Sequence, residues 1–425
     1  MGGKPQHAAP QAALDGAGPH ARIAAVALLG FASGLPLALS DGTLQAWLTV
    51  AGVDVERIGA FSLAGLPYAL KFLWAPLLDR YQPGWPGRRR DWMLLTQLTL
   101  AALLFLVGTL DLASGALPLL ALTALALATL SATQDIAIDA YRTEVLRERE
   151  RGLGAAWGVT GYRLGMLLSG AGALLLADSL GFARVYQLMA GALLLGAFTS
   201  LVAPRVPVDC APPRDLAEAV TAPLAEFFRR DAALPLLLLV FLYKLGDAFA
   251  GRLTTTFLLG PLGFSLTDVG TINKGLGLVA AVAGALFGAR LMQRLGLYRA
   301  LMLFAALQAL TNLGFALLAQ SAKSYPLMAA VVGLENLAGG MGTAAYLALL
   351  MSICARRYTA TQFALLSAVA SLGRVFAGPP AGWMVAHVGW APFFLATFVL
   401  ALPALLMLRW QRARIEALAH AEAGS

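Results

Sequence analysis

Charge is scarce in this chain. Asp, Glu, Lys and Arg make up 13% of its 425 residues, about half the ~25% of an ordinary soluble domain. A soluble protein of this length would divide into domains that each need a polar coat, and there is too little charge to supply one. Cysteine is nearly absent: Cys210 and Cys354 make neither a disulfide framework nor a metal-ligand spacing. The 4 histidines are scattered and add no metal motif. Acidic residues are the scarcer sign, 23 against 31 basic ones. These shortages argue against a soluble enzyme, a disordered scaffold and a nucleic-acid-binding module. No metal and no organic cofactor is expected.

What is abundant is apolar. Hydrophobic residues make up 59% of the chain and the mean hydropathy is +0.72. A helix needs ~20 apolar residues to cross the hydrocarbon core, and twelve segments meet that length. They run over 22–46, 56–79, 92–111, 116–144, 152–178 and 183–203, then 233–259, 267–293, 298–320, 325–354, 361–386 and 390–410. They are too long and continuous for buried strands. The expected fold class is therefore all-α integral membrane. Residues 1–21 are rich in Ala, Gly and Pro and lack the apolar core and cleavage site of a signal peptide. They are expected to form a disordered cytoplasmic tail, and 411–425 is expected to be a cytoplasmic tail as well.

The loops carry the orientation. With both tails and the even-numbered connections on one side, that side holds Arg80, Arg88, Arg89, Arg90, Arg147, Arg149, Arg151, Arg205, Arg214, Arg229, Arg230, Arg294, Arg299, Arg356, Arg357, Arg409, Arg412 and Arg414. The other side holds little beyond Arg57, Arg184 and Lys323. The positive-inside rule puts both termini in the cytoplasm. The long connection 204–232 contains Pro204, Pro207, Pro212 and Pro213. Leu216, Val220, Leu224, Phe227 and Phe228 then recur at helical spacing, which predicts a surface-lying amphipathic helix joining two halves, 22–203 and 233–410.

The halves repeat. Gly52-Val53-Asp54-Val55-Glu56-Arg57-Ile58-Gly59 matches Gly263-Phe264-Ser265-Leu266-Thr267-Asp268-Val269-Gly270, 211 residues later and in the equivalent loop. Gly161-Tyr162-Arg163-Leu164-Gly165 matches Ser371-Leu372-Gly373-Arg374, and Leu77-Leu78-Asp79-Arg80 matches Leu291-Met292-Gln293-Arg294. Two pseudo-symmetric six-helix bundles with substrate held between them are the architecture of major facilitator transporters. Asp79-Arg80 followed by Gly87-Arg88-Arg89-Arg90 resembles that superfamily's loop signature, Gly-x-Leu-x-Asp-Arg-x-Gly-Arg-Arg, with Ala75 in place of the first glycine and a longer turn. Asp79, Arg80 and Arg88 are accordingly candidates for a cytoplasmic gate, as is Arg142. The alternative is that the arginines only fix topology.

Longer blocks resemble one family closely. Gly30-Phe31-Ala32-Ser33-Gly34-Leu35-Pro36, Gly42-Thr43-Leu44-Gln45-Ala46-Trp47, Lys71-Phe72-Leu73-Trp74-Ala75-Pro76, Gln134-Asp135-Ile136, Leu242-Tyr243-Lys244-Leu245-Gly246-Asp247 and Glu335-Asn336 with Gly339-Gly340-Met341-Gly342 are similar to the AmpG family of muropeptide permeases. The similarity runs over about 22–410. Some members carry two further hydrophobic spans after the twelfth, which are not seen here. The resemblance implies proton-driven import of N-acetylglucosaminyl-1,6-anhydro-N-acetylmuramyl peptides across the bacterial inner membrane for peptidoglycan recycling. It also implies a link to β-lactamase induction and β-lactam resistance. The implied partners are the muropeptide, protons and the lipid bilayer, the protein being a monomer powered by the proton motive force alone. Rival readings are a carrier of another solute on the same scaffold, such as a small peptide, a drug or an acyl-nucleotide, a membrane glycosyltransferase, and a receptor. The short basic loops carry no acidic metal motif for the second, and no sensor or output domain accompanies the third.

Ionisable residues inside apolar spans are costly and so are functional candidates. Asp135, Asp139, Asp247 and Glu335 are the candidate proton carriers. Asp135 and Asp139 share a helical face. Asp139 has the alternative of a plain ion pair with Arg142, and Asp247 of one with Lys244. Asp41 falls on the first span, toward the periplasmic mouth. Candidate substrate contacts are the basic Lys71, Arg163, Lys244, Lys274 and Arg374, the amides Gln45, Gln134, Asn273 and Asn336, and the rings of Trp47, Tyr162 and Tyr243. Carboxylates of the cargo call for the cations and sugar rings for the aromatics, although packing would use the same tyrosines. Gly161 and Gly165, and the Gly339, Gly340 and Gly342 group, predict close helix crossings. Gly378-Pro379-Pro380 predicts a break in span eleven.

Overall fold

Leu- and Ala-rich runs with no water to satisfy their backbone must close their hydrogen bonds internally, and the chain does so as helices. A computed structural model describes residues 18–80, 88–110, 116–147, 150–205, 228–229, 233–353 and 359–423. It contains helices and no strand among the described residues. The expected linker helix, with Arg214 and most of 204–232, lies outside them, as does the N-terminal tail.

Among the described residues, ten helices are long and apolar enough to cross a membrane. Each coincides with an expected span, from Pro19–Val50 for the first to Trp390–Trp410 for the twelfth. The two remaining expected spans are helical but interrupted. Span two is a succession of short pieces, Val55–Ala60, Phe61–Gly65, Leu66–Leu70, Lys71–Leu73 and Ala75–Arg80, of which Phe61–Gly65 and Lys71–Leu73 are tightened to 3-10 turns. Span eleven is Thr359–Phe376 and Gly378–Val388, broken at Ala377 where the Pro379-Pro380 pair starts the second piece. That is the break the prolines predict, since proline fits the first turn of a helix and not its interior. The chain beyond span twelve is helical over Arg412–Ala423.

The loop repeat has a structural meaning. Gly52 and Gly263 both take positive φ, 74° and 63°, a conformation in which a Cβ is strained. Two residues on, Asp54 and Ser265 each cap the next helix: Asp54 Oδ1 accepts from Arg57 N at 2.9 Å and Ser265 Oγ from Asp268 N at 3.0 Å. At the second site Asp268 Oδ2 accepts in return from Ser265 N, completing a capping box. Ser265→Ala is expected to lower stability by about 1 kcal/mol, seen as a lower thermal midpoint in detergent with transport retained.

Contacts divide the chain into two compact units, Met1–Leu44 with Leu70–Arg214, and Gln45–Ala69 with Asp215–Ser425. This division differs from the sequence repeat in one respect. The end of span one and the start of span two pack in the second unit, where Ser62 Oγ donates to Val375 O at 2.7 Å and Gln45 Nε2 to Arg252 O at 2.7 Å.

In the first unit, spans one and five cross on glycine. A Cβ added at Gly34 would lie 2.1 Å from Tyr162 O, and one at Gly161 would lie 2.0 Å from Ala27 O. Gly30 and Gly165 complete the row. In the second unit spans eight and ten do the same through Gly284, against Leu337 O, and Gly340, against Ala281 O. Lipid offers no hydrophobic drive to pair helices, so such backbone contact supplies the dispersion and packing that does. Large side chains such as Leu122 and Leu406 face outward, 63% and 68% exposed, as a lipid-facing surface requires.

Candidate functional site

Among the described residues, each unit holds a cluster of charge inside its apolar spans that is built on irregular backbone. In the first unit Lys71 stands in the 3-10 turn of span two. Its Nζ lies 3.7 Å from Asp135 Oδ2 on span four. Asp135 Oδ1 accepts from Ser33 Oγ of span one at 2.5 Å. Trp74, one turn beyond Lys71, donates its Nε1–H to Thr133 Oγ1 at 3.1 Å and fixes the broken stretch against span four. Asp135 is thus held by one cation and one hydroxyl from two other spans.

In the second unit span seven breaks at Lys244, between helices Ala233–Tyr243 and Leu245–Arg252. Lys244 Nζ is 3.2 Å from Asp247 Oδ2 and donates to Thr343 Oγ1 of span ten at 3.1 Å. Thr343 Oγ1 donates in turn to Gly339 O at 2.7 Å. Two turns toward the start of span ten, Glu335 Oε2 accepts from Asn336 Nδ2 at 2.7 Å. Asn336 lies on Gly277, where an added Cβ would stand 3.1 Å from Nδ2. Lys274 and Asn273 sit on a π-helical stretch of span eight, Val269–Leu276. Asp247, Lys244 and Lys274 are the charges within electrostatic reach of Glu335. Irregular backbone at membrane depth is found where it serves a site, and here it carries Lys71, Lys244 and Lys274.

The repeat relates the clusters in sequence. Ser33 and Lys244 are 211 residues apart, the offset of the capped loops, and each contacts a carboxylate. Arg163 and Arg374 stand at the same offset, and both are exposed.

Other expected site residues fall elsewhere. Tyr243 is packing core rather than a sugar platform: it is 4% exposed and stacked on Tyr346 with ring centres 5.3 Å apart. Gln134 is fully buried with neither amide atom bonded. It lies a third of a turn from Asp135 and so points into the bundle. Gln45 is bound to a backbone carbonyl, as above. Trp47, Tyr162 and Asn273 are half-buried. Asp139 is exposed and pairs with Arg142 at 3.0 Å, the plain ion pair that the spacing allowed. Asp41 is exposed at the turn within span one. The side chains of Asp79, Arg80 and Arg88 lie outside the described part of the structure. The neighbouring arginines do define contacts: Arg89 donates to Glu144 Oε1 at 2.7 Å, and Arg90 donates to Ser200 O and Leu201 O at the end of span six.

Sequence reasoning missed Ser33 and the pair Arg22–Glu150. Arg22 is 1% exposed, and its Nε donates to Glu150 Oε2 at 3.0 Å. The one available signal was an arginine at the mouth of the first span facing a loop that alternates acid and base, Arg147 to Arg151.

The sequence profile of the Major Facilitator Superfamily matches residues 24–325 and 236–423. The anhydromuropeptide permease of Escherichia coli K12 is 51% identical over 397 residues, covering 93% of this chain and 80% of the relative. A putative transporter AmpG 4 of Rickettsia felis is 32% identical over 405 residues, covering 93% and 97%. Among solved structures, a nucleoside transporter superposes with a TM-score of 0.72 at 13% identity, covering 91% of this chain and 98% of that one. A POT family transporter in complex with a thioalcohol-conjugated peptide gives 0.72 at 12% identity, covering 92% and 96%.

Proposed function

Because the chain belongs to the major facilitator superfamily, as a multi-pass membrane transporter and not an enzyme, we propose that it imports anhydro-muropeptides with protons. The substrate class rests on the 51% identity to the anhydromuropeptide permease over nearly the whole chain. The coupling rests on one observation above all: both acid clusters are paired with a lysine at a break in an apolar helix. The membrane is the bacterial inner membrane, both termini are cytoplasmic, and the transporter works as a monomer by alternating access.

The chemistry follows from the pairing. A carboxylate held by a lysine keeps the site neutral. Protonation of Asp135 or Asp247 releases Lys71 or Lys244, whose ammonium can then take a carboxylate of the cargo peptide. Deprotonation restores the internal pair and expels the cargo. Arg163 and Arg374 offer further bidentate carboxylate contacts. Asn273, Asn336 and Lys274 suit sugar hydroxyls and amides. A proton crossing 100 mV supplies about 2.3 kcal/mol, enough for more than a tenfold gradient of a neutral cargo. A link to β-lactamase expression follows if the imported fragment is the inducing signal.

Uptake of labelled anhydro-muropeptide into proteoliposomes, with and without an imposed pH gradient, tests the reading. The gradient is expected to stimulate uptake. Asp135→Asn, Asp247→Asn and Glu335→Gln, made singly, should each reduce driven uptake about tenfold, and Asp139→Asn should leave it near wild type. Retention of driven uptake in all of them would overturn the proton assignments. Uptake of a small peptide in place of the muropeptide would overturn the substrate.

A further inference from the structure

Span nine carries two amides that the pairing chemistry does not use. Gln308 and Asn312 are one helical turn apart and face inward, 6% and 1% exposed. Gln308 Nε2 and Asn312 Nδ2 are donors without a hydrogen-bond partner. A buried amide donor left unmatched is rare in folded proteins, and at polar sites the usual partner is an ordered water.

Their position on span ten is fixed by register. The Gln308 amide lies on Gly342, where an added Cβ would be 2.9 Å from Nε2, and near Gly339, at 3.8 Å. Gly314, farther along span nine, packs on Val331 at 3.2 Å. The two spans are consecutive and run antiparallel, so Asn312 falls between these levels, opposite the turn that bears Glu335. On a 3.6-residue helix Glu335, Gly339, Gly342 and Tyr346 form one column. The column's two glycines remove the side chains that would otherwise separate the amides from the carboxylate. Gln97, 211 residues before Gln308, is likewise buried with Nε2 unpartnered, but Ser200 Oγ donates to its Oε1 and Ala124 stands at the position that repeats Glu335, so the acid beside the amides belongs to the second unit.

We infer that Gln308 and Asn312 are positioning residues that hold ordered water against Glu335 and give its carboxyl a path for proton exchange through the interface of spans nine and ten. The two amide nitrogens donate to water, and water donates to the carboxylate. Protonation of Glu335 then takes a proton from that water, which regains one from the next molecule in the chain. The charges facing Glu335 from the elements packed around it are Lys244, Asp247 and Lys274. All three reach it from spans seven and eight, so the nine–ten interface is a separate approach.

The inference rests on Glu335 being a coupling acid. The test compares driven uptake with counterflow, which exchanges cargo without net proton movement, using the full-length protein in proteoliposomes. Gln308→Met and Asn312→Leu keep volume and remove the donors. Each is expected to cut driven uptake about tenfold and move its pH profile, with counterflow within about twofold of wild type. Asn312→Ser, which keeps a group able to bond water, should recover most of the loss. Wild-type driven uptake and pH profile in both apolar variants would overturn the inference. So would equal losses in driven uptake and counterflow, which mark a purely structural role. A wild-type protein with no gradient response would sink the coupling reading itself, and this inference with it.

Discussion

Gly34→Leu and Gly340→Leu should each eliminate the folded transporter. At Gly34 even a methyl would stand 2.1 Å from Tyr162 O, and at Gly340 2.1 Å from Ala281 O. Both obstacles are backbone, so no rotamer change can relieve them. The crossing helices must separate along their length, and the row of neighbouring glycine contacts is lost with them. Ordinary overpacking costs ~1–3 kcal/mol; a backbone obstacle lies beyond that range. The measurement is the yield and monodispersity of detergent-solubilised protein by size-exclusion chromatography. Gly191→Leu and Gly333→Leu are the controls, since an added Cβ at either meets nothing within 4 Å. Those two should behave as wild type. Equal collapse of all four would mean that the crossings have no special weight.

Arg22→Met should cost about 1.5–3 kcal/mol, because it removes the charge-assisted hydrogen bonds of a part-buried Glu150, which keeps the Arg147 N–H. The double replacement Arg22→Met with Glu150→Met should recover most of that loss, since a matched apolar pair carries no stranded charge. The pair also has a pH signature. The hydrogen bond from Arg22 holds the Glu150 carboxyl below the ordinary glutamate range. A carboxyl lowered in the folded state stabilises the fold above its unfolded pKa, about 4.3. That stabilisation disappears as pH falls through the lowered value. Wild-type thermal midpoints should therefore drop more steeply on acidification below about pH 4 than those of Glu150→Gln. Parallel curves would show that the pair contributes nothing.

The two capped loops were legible because a left-handed turn followed by a helix start demands particular residues. Gly52 and Gly263 supply the turn and Asp54 and Ser265 the cap, so the same physics wrote the same pattern twice. The lysines and acids were legible because charge stands out against an apolar run. Ser33 was not: a hydroxyl in an apolar helix usually bonds its own backbone, and nothing in its neighbours says that it reaches Asp135 instead. Tyr243 was placed on the wrong side of a real ambiguity, since a ring that stacks on a sugar and one that stacks on Tyr346 look alike in sequence. The break at Lys244 was hidden because no proline marks it and Gly246, two residues on, reads equally well as a packing glycine, which it is against Thr397 and Ala401; of the two partners of Lys244, Asp247 is local and Thr343 is brought by tertiary contact. Arg22 was hidden by its place at the end of a span, where a cation ordinarily signals topology.

The contacts of Arg22, Arg89 and Arg90 alter what the count of 31 basic residues means. These three guanidinium groups are engaged with Glu150, Glu144 and the last carbonyls of span six. None is free to meet a phospholipid headgroup, so fewer guanidinium groups can contact an anionic leaflet than a tally of arginines suggests. Charge-swap experiments meant to flip the insertion of this chain would, at those three positions, report on folding before they reported on direction.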